Sequence, residues 1–331
     1  AITPIAIHVS TPARRWSLPS FWRKSWKNPF RKARRKRSEL THVLVLTSAG
    51  PLGAGEIKLA QVALAAAATK AQATRRLADK AAEISFVGDV DAVLPAVRTA
   101  LGSAPIDANV VPAENRQKRL LISDMDSTII PVECIDEIAD FAGVKDRVSA
   151  ITERAMQGEL DFDGALRERV GLLKGLSVEA LERTYVERIS LNPGAGQLVA
   201  EMKQAGALTS LVSGGFTYFT ERVAAAVGFD RHQANTLLIE SDVLTGGVAE
   251  PILGREAKLI ALQDLTAEID ATPNDAVAVG DGANDLAMIE AAGLGIAYRA
   301  KPAVAAKADA RLDHSDLSAI PCRRRIAELG R

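Results

Sequence analysis

An alternation of apolar strands and helices, beginning at Leu120, constrains the fold more than any other feature of the sequence. Apolar runs at 120–122, 208–212, 276–279 and 294–297 predict strands, and helical patterns separate them. This alternation indicates an α/β fold in which helices cover both faces of a parallel sheet. Ligands of such sheets bind beyond the carboxyl ends of the strands, so the polar residues that follow these runs are the candidate functional residues.

The segment between the first two of these strands is long, and it predicts a helical cap over the sheet edge. From Glu133 to about residue 190 its apolar residues recur at helical spacing, which predicts several short helices. Farther along, residues 236–252 predict an antiparallel hairpin that is broken at Gly246-Gly247.

Upstream of this region, residues 41–117 predict a small α/β domain without a chemical motif. We expect strands at 41–46, 83–87 and 106–111, helices at 53–80 and 90–101, and a polar linker at 114–119. The other two predicted parts of the chain are an extension at residues 1–40 and a catalytic region at residues 118–331, which includes the cap at about 133–190.

Residues 1–40 differ sharply in charge from the rest of the chain. They hold eleven Lys or Arg and one acid, a net charge of +10, and because the whole chain is neutral the remainder carries −10. Trp22, Trp26 and Phe30 share one face of a possible helix, which suits an anionic membrane surface or RNA. The alternative is a disordered, dispensable extension, and we expect that one. The acidic body argues against nucleic-acid binding by residues 41–331.

The composition is that of a globular protein, with 47% hydrophobic and 25% charged residues among 331. No apolar run approaches the roughly 20 residues that a membrane-spanning helix needs. The only cysteines, Cys134 and Cys322, indicate neither a disulfide framework nor a zinc cluster, so we expect a cytoplasmic protein.

Two carboxylates follow the first strand, in Asp124-Met125-Asp126-Ser127-Thr128. At a sheet edge such a pair is unfavourable unless a metal or another cation neutralises it. Asp124 can attack phosphorus, and Asp126 can protonate the leaving oxygen and then activate water. A single aspartate here would more simply be explained as a helix or turn cap.

Ser213-Gly214-Gly215 follows the second strand and offers a hydroxyl and backbone N–H groups to a phosphate. Taken alone, this run is equally consistent with an ordinary turn. Lys258 lies in a predicted helix, where a lysine is usually solvated. A functional role for Lys258 follows only from the other clusters, because a site with several carboxylates and a phosphate requires a cation.

The run from Gly280 to Asp285 follows the third strand. Asp281 and Asp285 supply the carboxylate oxygens that Mg²⁺ prefers, and the glycines let the backbone turn sharply. The sequence therefore predicts a magnesium site at this edge.

The order of these four clusters resembles the haloacid dehalogenase (HAD) superfamily, and residues 120–317 are similar to the bacterial phosphoserine phosphatases within it. The matching residues are Asp124 to Thr128, Glu133, Ile135 to Glu137, Thr152 to Met156, Phe162, Leu166 to Val170, Val212 to Phe216, and Val279 to Asp285. The resemblance implies an HAD-type, Rossmann-like core with a cap inserted after the first strand.

The resemblance also implies roles for individual residues. Asp124 would be the nucleophile and Asp126 the acid/base, with Lys258 neutralising charge. The remaining roles are Mg²⁺ binding by Asp124, the Asp126 carbonyl and Asp281 with support from Asp285; phosphate binding by Ser213, Gly214, Lys258 and Asn284; and recognition of the amino acid by Glu133 and Arg169, with Met156 and Phe162 packing around it.

The reaction implied by the resemblance is hydrolysis of O-phospho-L-serine, the last step of serine biosynthesis, by a monomer or homodimer. Three alternatives stay open. They are another HAD phosphomonoesterase or a phosphotransferase with a different small substrate, an amino-acid sensor in the small domain, and a membrane or RNA adaptor in residues 1–40.

Overall fold

The first part of the described chain is a small antiparallel sheet covered by two helices. This computed structural model describes residues 42–156 and 159–320, without the side chain of Met156. The strands and helices of this part are β1 (His42–Ser48), α1 (Ala54–Ala67), β2 (Ala68–Ala71), β3 (Arg75–Ala78), β4 (Ala81–Gly88), α2 (Val90–Leu101) and β5 (Ile106–Pro112). β4 pairs with β1, β2 and β3, and β1 also pairs with β5. The helices pack on one face of the sheet, over Leu44, Leu46 and Phe86.

The predicted helix at 53–80 is wrong beyond Ala67. The chain turns there into β2 and β3, which both pair with β4. High helix propensity in the alanine-rich run extends α1, but tertiary pairing with β4 decides the conformation of the residues that follow. The other strands and the second helix predicted for this region agree with the structure within two residues.

The second part alternates strands and helices as the sequence predicts. Its elements in chain order are β6 (Leu120–Ser123), α3 (Cys134–Phe141), α4 (Lys145–Met156), α5 (Phe162–Gly171), α6 (Val178–Arg188), α7 (Ala195–Gln204), β7 (Leu208–Phe216), α8 (Thr217–Val227), β8 (Arg231–Asn235), β9 (Leu237–Glu240), β10 (Val243–Val248), α9 (Arg255–Glu268), β11 (Ala276–Gly280), α10 (Leu286–Ala291), β12 (Leu294–Tyr298), α11 (Pro302–Ala305) and β13 (Ala310–Leu312). Six of the strands form a sheet in the order β13-β12-β11-β6-β7-β8, in which every pairing is parallel.

Both faces of this sheet are buried. Leu121 of β6 belongs to a core shared with α7, α8 and the helices α3–α6, whereas Leu120 and Ile122 face a core under α9 and α10. Alternate residues of one strand thus serve opposite cores, as a doubly covered sheet requires. The predicted α/β class, with helices inserted after the first strand of the sheet, is confirmed.

The hairpin predicted at 236–252 is present as β9 and β10, but its turn is not at Gly246-Gly247. Ser241 and Asp242 make the turn, both with positive φ (51° and 60°), and the two glycines lie inside β10. Gly246 packs against Lys174 and Gly171, so it permits close contact with the cap. Backbone hydrogen bonds also join Gly175 and Leu176 to Leu244.

The second face of the small sheet contributes to the core of the second part, and β5 lies beside β13. Asn109 of β5 pairs with both backbone groups of Arg311 in β13, at 2.8 and 2.9 Å. Asp107, two residues earlier, accepts backbone N–H bonds from residues 313–315. These side chains satisfy backbone groups beside the edge strand, which would otherwise stand unpaired.

The predictions for residues 1–40, including the aromatic helix face, lie outside the described residues. Within residues 42–156 and 159–320, no helix is long and apolar enough to cross a membrane. The domain boundaries stated above stay predictions.

Candidate active site

Three adjacent strands bring the predicted polar clusters to one edge of the sheet. β11, β6 and β7 are parallel neighbours, and they end next to Asp281, at Asp124 and around Ser213. Residues separated by more than 150 positions in the sequence therefore meet, as Thr128 and Asp281 do through a hydrogen bond of 3.2 Å between Oγ1 and Oδ1. The polar clusters therefore lie at the carboxyl ends of the strands, which is the edge of the sheet that the sequence predicts for them.

A buried lysine joins two of the aspartates. The Nζ atom of Lys258, in the first turns of α9, lies 2.7 Å from Asp124 Oδ1 and 2.6 Å from Asp285 Oδ1. All three residues are buried, with exposed fractions of 4% or less. Lys258 is thus not the solvated lysine that its helical position alone would suggest.

Burial raises the pKa of the Asp124 carboxyl well above its usual range. Burial is the main cause, the nearby Asp285 adds to it, and Lys258 opposes it. Burial by itself would lower the pKa of Lys258, but Asp124 and Asp285 more than offset this and raise it, so the lysine keeps its charge. The site favours an additional cation because two carboxylates share one ammonium group.

Asp281 completes an acidic cluster that can hold a metal ion. Oxygen atoms of Asp124, Asp281 and Asp285 all lie within 4.8 Å of one another. Burial, followed by repulsion from Asp285, raises the pKa of Asp281 to about 6. The donor set contains only carboxylate oxygens, which fits a hard divalent cation such as Mg²⁺.

Asp285 is held as a supporting residue within this cluster. Its Oδ2 accepts the backbone N–H groups of Asp281 and Gly282, at 3.1 and 3.0 Å, while Oδ1 meets Lys258. Asn284, also predicted for the site, is half-buried beside the same turn. Its Oδ1 would lie 2.2 Å from a Cβ added at Gly282, so a larger residue there would displace the Asn284 carboxamide.

Both carboxylate oxygens of Asp126 have donors. Oδ1 accepts the backbone N–H of Cys134, the first residue of α3, at 2.8 Å. Oδ2 accepts the Ser213 hydroxyl at 3.0 Å. Asp126 therefore stands between the start of the cap and the candidate phosphate loop.

The candidate phosphate loop, residues 213–215, ends β7 just before α8. Ser213 Oγ accepts the N–H of Gly215 at 2.8 Å. A Cβ at Gly215 would lie 2.7 Å from Asp126 Oδ2, so a larger residue would displace the carboxylate from its two donors. The loop is thereby packed directly against the candidate acid/base.

The cap contributes Glu133 and Phe162 to this edge. Glu133 precedes α3, and its Oε1 accepts the Ser127 hydroxyl at 2.6 Å. The residue is exposed on its outer side, but burial of its carboxyl group and repulsion from Asp126 raise its pKa to about 7. The Phe162 ring lies 3.3 Å from where a Cβ on Gly214 would stand, so the cap covers the phosphate loop.

Arg169 is half-buried on α5. Its Nε donates to the Ala165 carbonyl at 3.2 Å. Burial lowers the pKa of Arg169, and the opposing charges of Asp136 and Glu133 act to raise it. The side chain of Met156, the remaining candidate, lies outside the described residues.

Sequence reasoning missed two asparagines that hold this site together. Asn235, at the end of β8, donates to the Gly214 carbonyl at 2.9 Å and pairs with both backbone groups of Leu253. Asn192, after the cap helices, donates to the Thr128 carbonyl at 2.8 Å. No pattern marks them, because their partners are backbone groups distant in sequence.

Comparisons with known proteins find relatives of this chain both in sequence and in structure. The family model of haloacid dehalogenase-like hydrolases matches residues 121–290, which is about half of the chain. A phosphoserine phosphatase of Archaeoglobus fulgidus is 49% identical over 203 residues, which are 61% of this chain and 59% of that protein. A phosphoserine phosphatase of a Polaromonas species is 45% identical over 204 residues, which are 60% of this chain and 86% of that protein.

A solved structure extends the likeness to the small sheet. The structure of a probable phosphoserine phosphatase from Vibrio cholerae has 34% identity and a TM-score of 0.71, and the match covers 85% of each chain. The chain thus spans less than two thirds of the Archaeoglobus relative but most of the other two proteins.

Proposed function

We propose that this chain, which belongs to the haloacid dehalogenase-like hydrolase family, hydrolyses O-phospho-L-serine to L-serine and phosphate through an aspartyl-phosphate intermediate. The observation that carries the proposal is the grouping of Asp124, Asp126, Ser213 and Lys258 at one sheet edge under a cap. The names of the similar proteins support the substrate. The reaction would be the last step of serine biosynthesis, and the cytoplasm is the location that we propose for it.

In the first step, Asp124 attacks the phosphorus atom. A bond forms between its carboxylate oxygen and phosphorus while the bond from phosphorus to the serine oxygen breaks. Asp126, in its protonated form, gives its proton to the departing oxygen. Lys258 offsets negative charge on both the nucleophile and the transferring group, since its ammonium lies 2.7 Å from Asp124.

In the second step, water releases the phosphate. Asp126, now ionised, takes a proton from the water molecule as its oxygen attacks phosphorus, and the bond to Asp124 breaks. We assign the phosphate oxygens to Ser213, the Gly214 N–H group, Lys258 and Asn284 through both steps. The hydrogen bond from Ser213 to Asp126 at 3.0 Å supports this division of roles.

The acidic cluster fits a Mg²⁺ ion. Asp124, the Asp126 carbonyl and Asp281 would hold it, with Asp285 in support. When bound, Mg²⁺ would neutralise charge on the phosphate oxygens.

We assign recognition of the serine moiety to the cap. Glu133 would receive the substrate ammonium group and Arg169 its carboxylate, with Met156 and Phe162 enclosing the carbon atoms. Support comes from the position of Phe162 over Gly214 and from the half-buried setting of Arg169 on the same helix.

Phosphate release from a panel of phosphomonoesters tests the proposed function. O-phospho-L-serine should have the highest kcat/KM, and adding alcohols or other acceptors should not divert the phosphoryl group. A better substrate without the amino acid moiety would favour another phosphomonoesterase, and transfer to an acceptor would favour a phosphotransferase.

Removal of metal should abolish turnover. We expect no activity in protein treated with a chelator, recovery with Mg²⁺, and poor recovery with Ca²⁺, whose larger and looser coordination sphere suits in-line transfer less well. Phosphate release is measured across a titration of each ion. Full activity in metal-free protein would contradict the roles proposed for Asp281 and Asp285.

Arg169→Ala should reduce selectivity for phosphoserine. The variant loses the partner of the substrate carboxylate, which should lower kcat/KM by about 2–4 kcal/mol of transition-state binding. A small phosphate ester without a carboxylate should be affected far less. Arg167→Ala is the matched control, because Arg167 lies on the same helix but pairs with Glu250 on the surface. Equal losses on both esters would remove Arg169 from substrate recognition.

We also propose that residues 118–331 form the catalytic region and that residues 41–117 form a separate small domain. The small sheet and its helices share a hydrophobic core of their own, which supports this division. Whether the enzyme acts as a monomer or a homodimer is tested by its mass in solution.

A further inference from the structure

We infer that Asn192 is a positioning residue for the metal site, acting through Thr128. This inference rests on the proposed function, because it assigns a role at the same site. Asn192 lies between the last cap helix, α6, and α7. It is far in sequence from every residue of the acidic cluster, and only the fold brings it to the loop that carries the nucleophile.

The nucleophile loop, residues 124–130, contains a tight turn. Ser127 has a φ of 55°, in the left-handed region that residues other than glycine rarely adopt. The Met125 carbonyl accepts the N–H groups of residues 128, 129 and 130. These bonds close the turn, and the carbonyl groups of Thr128 and Ile129 accept hydrogen bonds from a residue outside it.

Asn192 supplies both donors. Its side-chain Nδ2 donates to the Thr128 carbonyl at 2.8 Å, and its backbone N–H donates to the Ile129 carbonyl at 2.8 Å. The Asn192 residue is 6% exposed and Thr128 is fully buried, so water cannot easily replace the carboxamide. The two bonds hold adjacent peptide groups and thereby orient Thr128.

Thr128 in turn connects to the acidic cluster. Its hydroxyl donates to Asp281 Oδ1 at 3.2 Å. A donor of this kind orients a carboxylate toward a metal ion, and loss of such outer partners commonly weakens metal binding. Asn192 thus acts on Asp281 through one intervening residue, from the segment that returns from the cap.

Calorimetric titration of the full chain with Mg²⁺, without substrate, tests this role. Asn192→Leu should raise the dissociation constant of Mg²⁺ about tenfold, in the range seen for outer-shell partners of metal sites. Asn109→Leu is the matched control, because Asn109 is also buried and also bonds a backbone carbonyl, that of Arg311, at 2.8 Å. It should lose stability but bind Mg²⁺ as the wild type does.

A double-mutant cycle separates action through Thr128 from a general loss of packing. Thr128→Val should itself weaken Mg²⁺ binding about tenfold. Adding Asn192→Leu to that variant should then have little further effect, since the path to Asp281 is already broken. If Asn192→Leu does not fold, Asn192→Ser provides the same comparison with a polar side chain that is too short to reach Thr128.

Several outcomes would overturn the inference. These are unchanged Mg²⁺ affinity in a folded Asn192 variant, an equal loss in Asn109→Leu, or multiplying losses in the double variant. In each case the wild type would still bind Mg²⁺ and hydrolyse phosphoserine, so the proposed function would stand. A wild-type protein that binds no Mg²⁺ would overturn the proposed metal site as well.

Discussion

Asp124→Asn should abolish turnover while leaving the protein folded. A carboxamide is a poor nucleophile, and removal of a covalent nucleophile commonly lowers kcat by on the order of 10⁴-fold or more. The fold should tolerate the change, because burial and Asp285 already disfavour the charge on Asp124 and a neutral side chain of the same shape removes that conflict. Phosphate release and a thermal unfolding curve together measure both effects.

The intermediate gives a second, independent measurement of this prediction. Mass spectrometry of acid-quenched wild-type protein should find a phosphoryl group on the peptide that contains Asp124, and on none in Asp124→Asn. Asp126→Asn should also be severely impaired, yet it should still form some phosphoenzyme, because only proton transfer is lost. Asp126 lies within hydrogen-bond distance of Ser213, so its replacement tests the same site with the nucleophile intact.

A carboxylate outside the site provides the control. Asp230 accepts the N–H and hydroxyl of Thr209 at 3.0 and 2.8 Å, at the start of β7 and so at the opposite end of the strand from Ser213. Asp230→Asn should leave turnover close to that of the wild type. Wild-type turnover in Asp124→Asn itself would rule out the covalent mechanism proposed here.

The edge of the sheet that carries the site could be predicted because it depends on strand order and direction alone. Apolar runs at Leu120 and Ala276 had no polar alternation, which indicates buried parallel strands, and parallel strands end at a common edge. The residues that directly follow each strand in the sequence must therefore lie close together at that edge. The haloacid dehalogenase resemblance added roles to these positions but was not needed to place them together.

The supporting contacts could not be predicted because they carry no local signal. Asn192 and Asn235 bond to backbone carbonyls 64 and 21 residues away in sequence, and any polar residue at those positions would have looked the same. Strands β2 and β3 could not be predicted from the sequence for a related reason. Their residues follow an alanine-rich helix without a clear break, and only pairing with β4 makes them strands.

Lys258→Met should lower both the stability and the activity of the protein. The substitution keeps most of the side-chain volume but leaves the buried carboxylates of Asp124 and Asp285 without their shared cation. Breaking a buried pair in this way costs about 3–5 kcal/mol of unfolding free energy. Loss of charge stabilisation should also lower kcat by roughly 10²–10³-fold.

Lys118→Met is the matched control, because Lys118 is buried too but bonds the Asn274 carbonyl at 2.8 Å, away from the site. It should lose stability and retain kcat.

The loss of stability in Lys258→Met should depend on pH in a definite direction. Burial and Asp285 already raise the pKa of Asp124, and removal of the ammonium group raises it further. A carboxyl group whose pKa is higher in the folded state than in the unfolded state binds protons more readily when folded, so lowering the pH favours folding. The difference in unfolding free energy between Lys258→Met and the wild type should therefore be largest near neutral pH. It should shrink as the pH falls through the raised pKa of Asp124. Chemical denaturation at a series of pH values measures this difference. A destabilisation that stays constant with pH would mean that Lys258 contributes packing and not charge, and it would remove the electrostatic basis for its role in phosphoryl transfer.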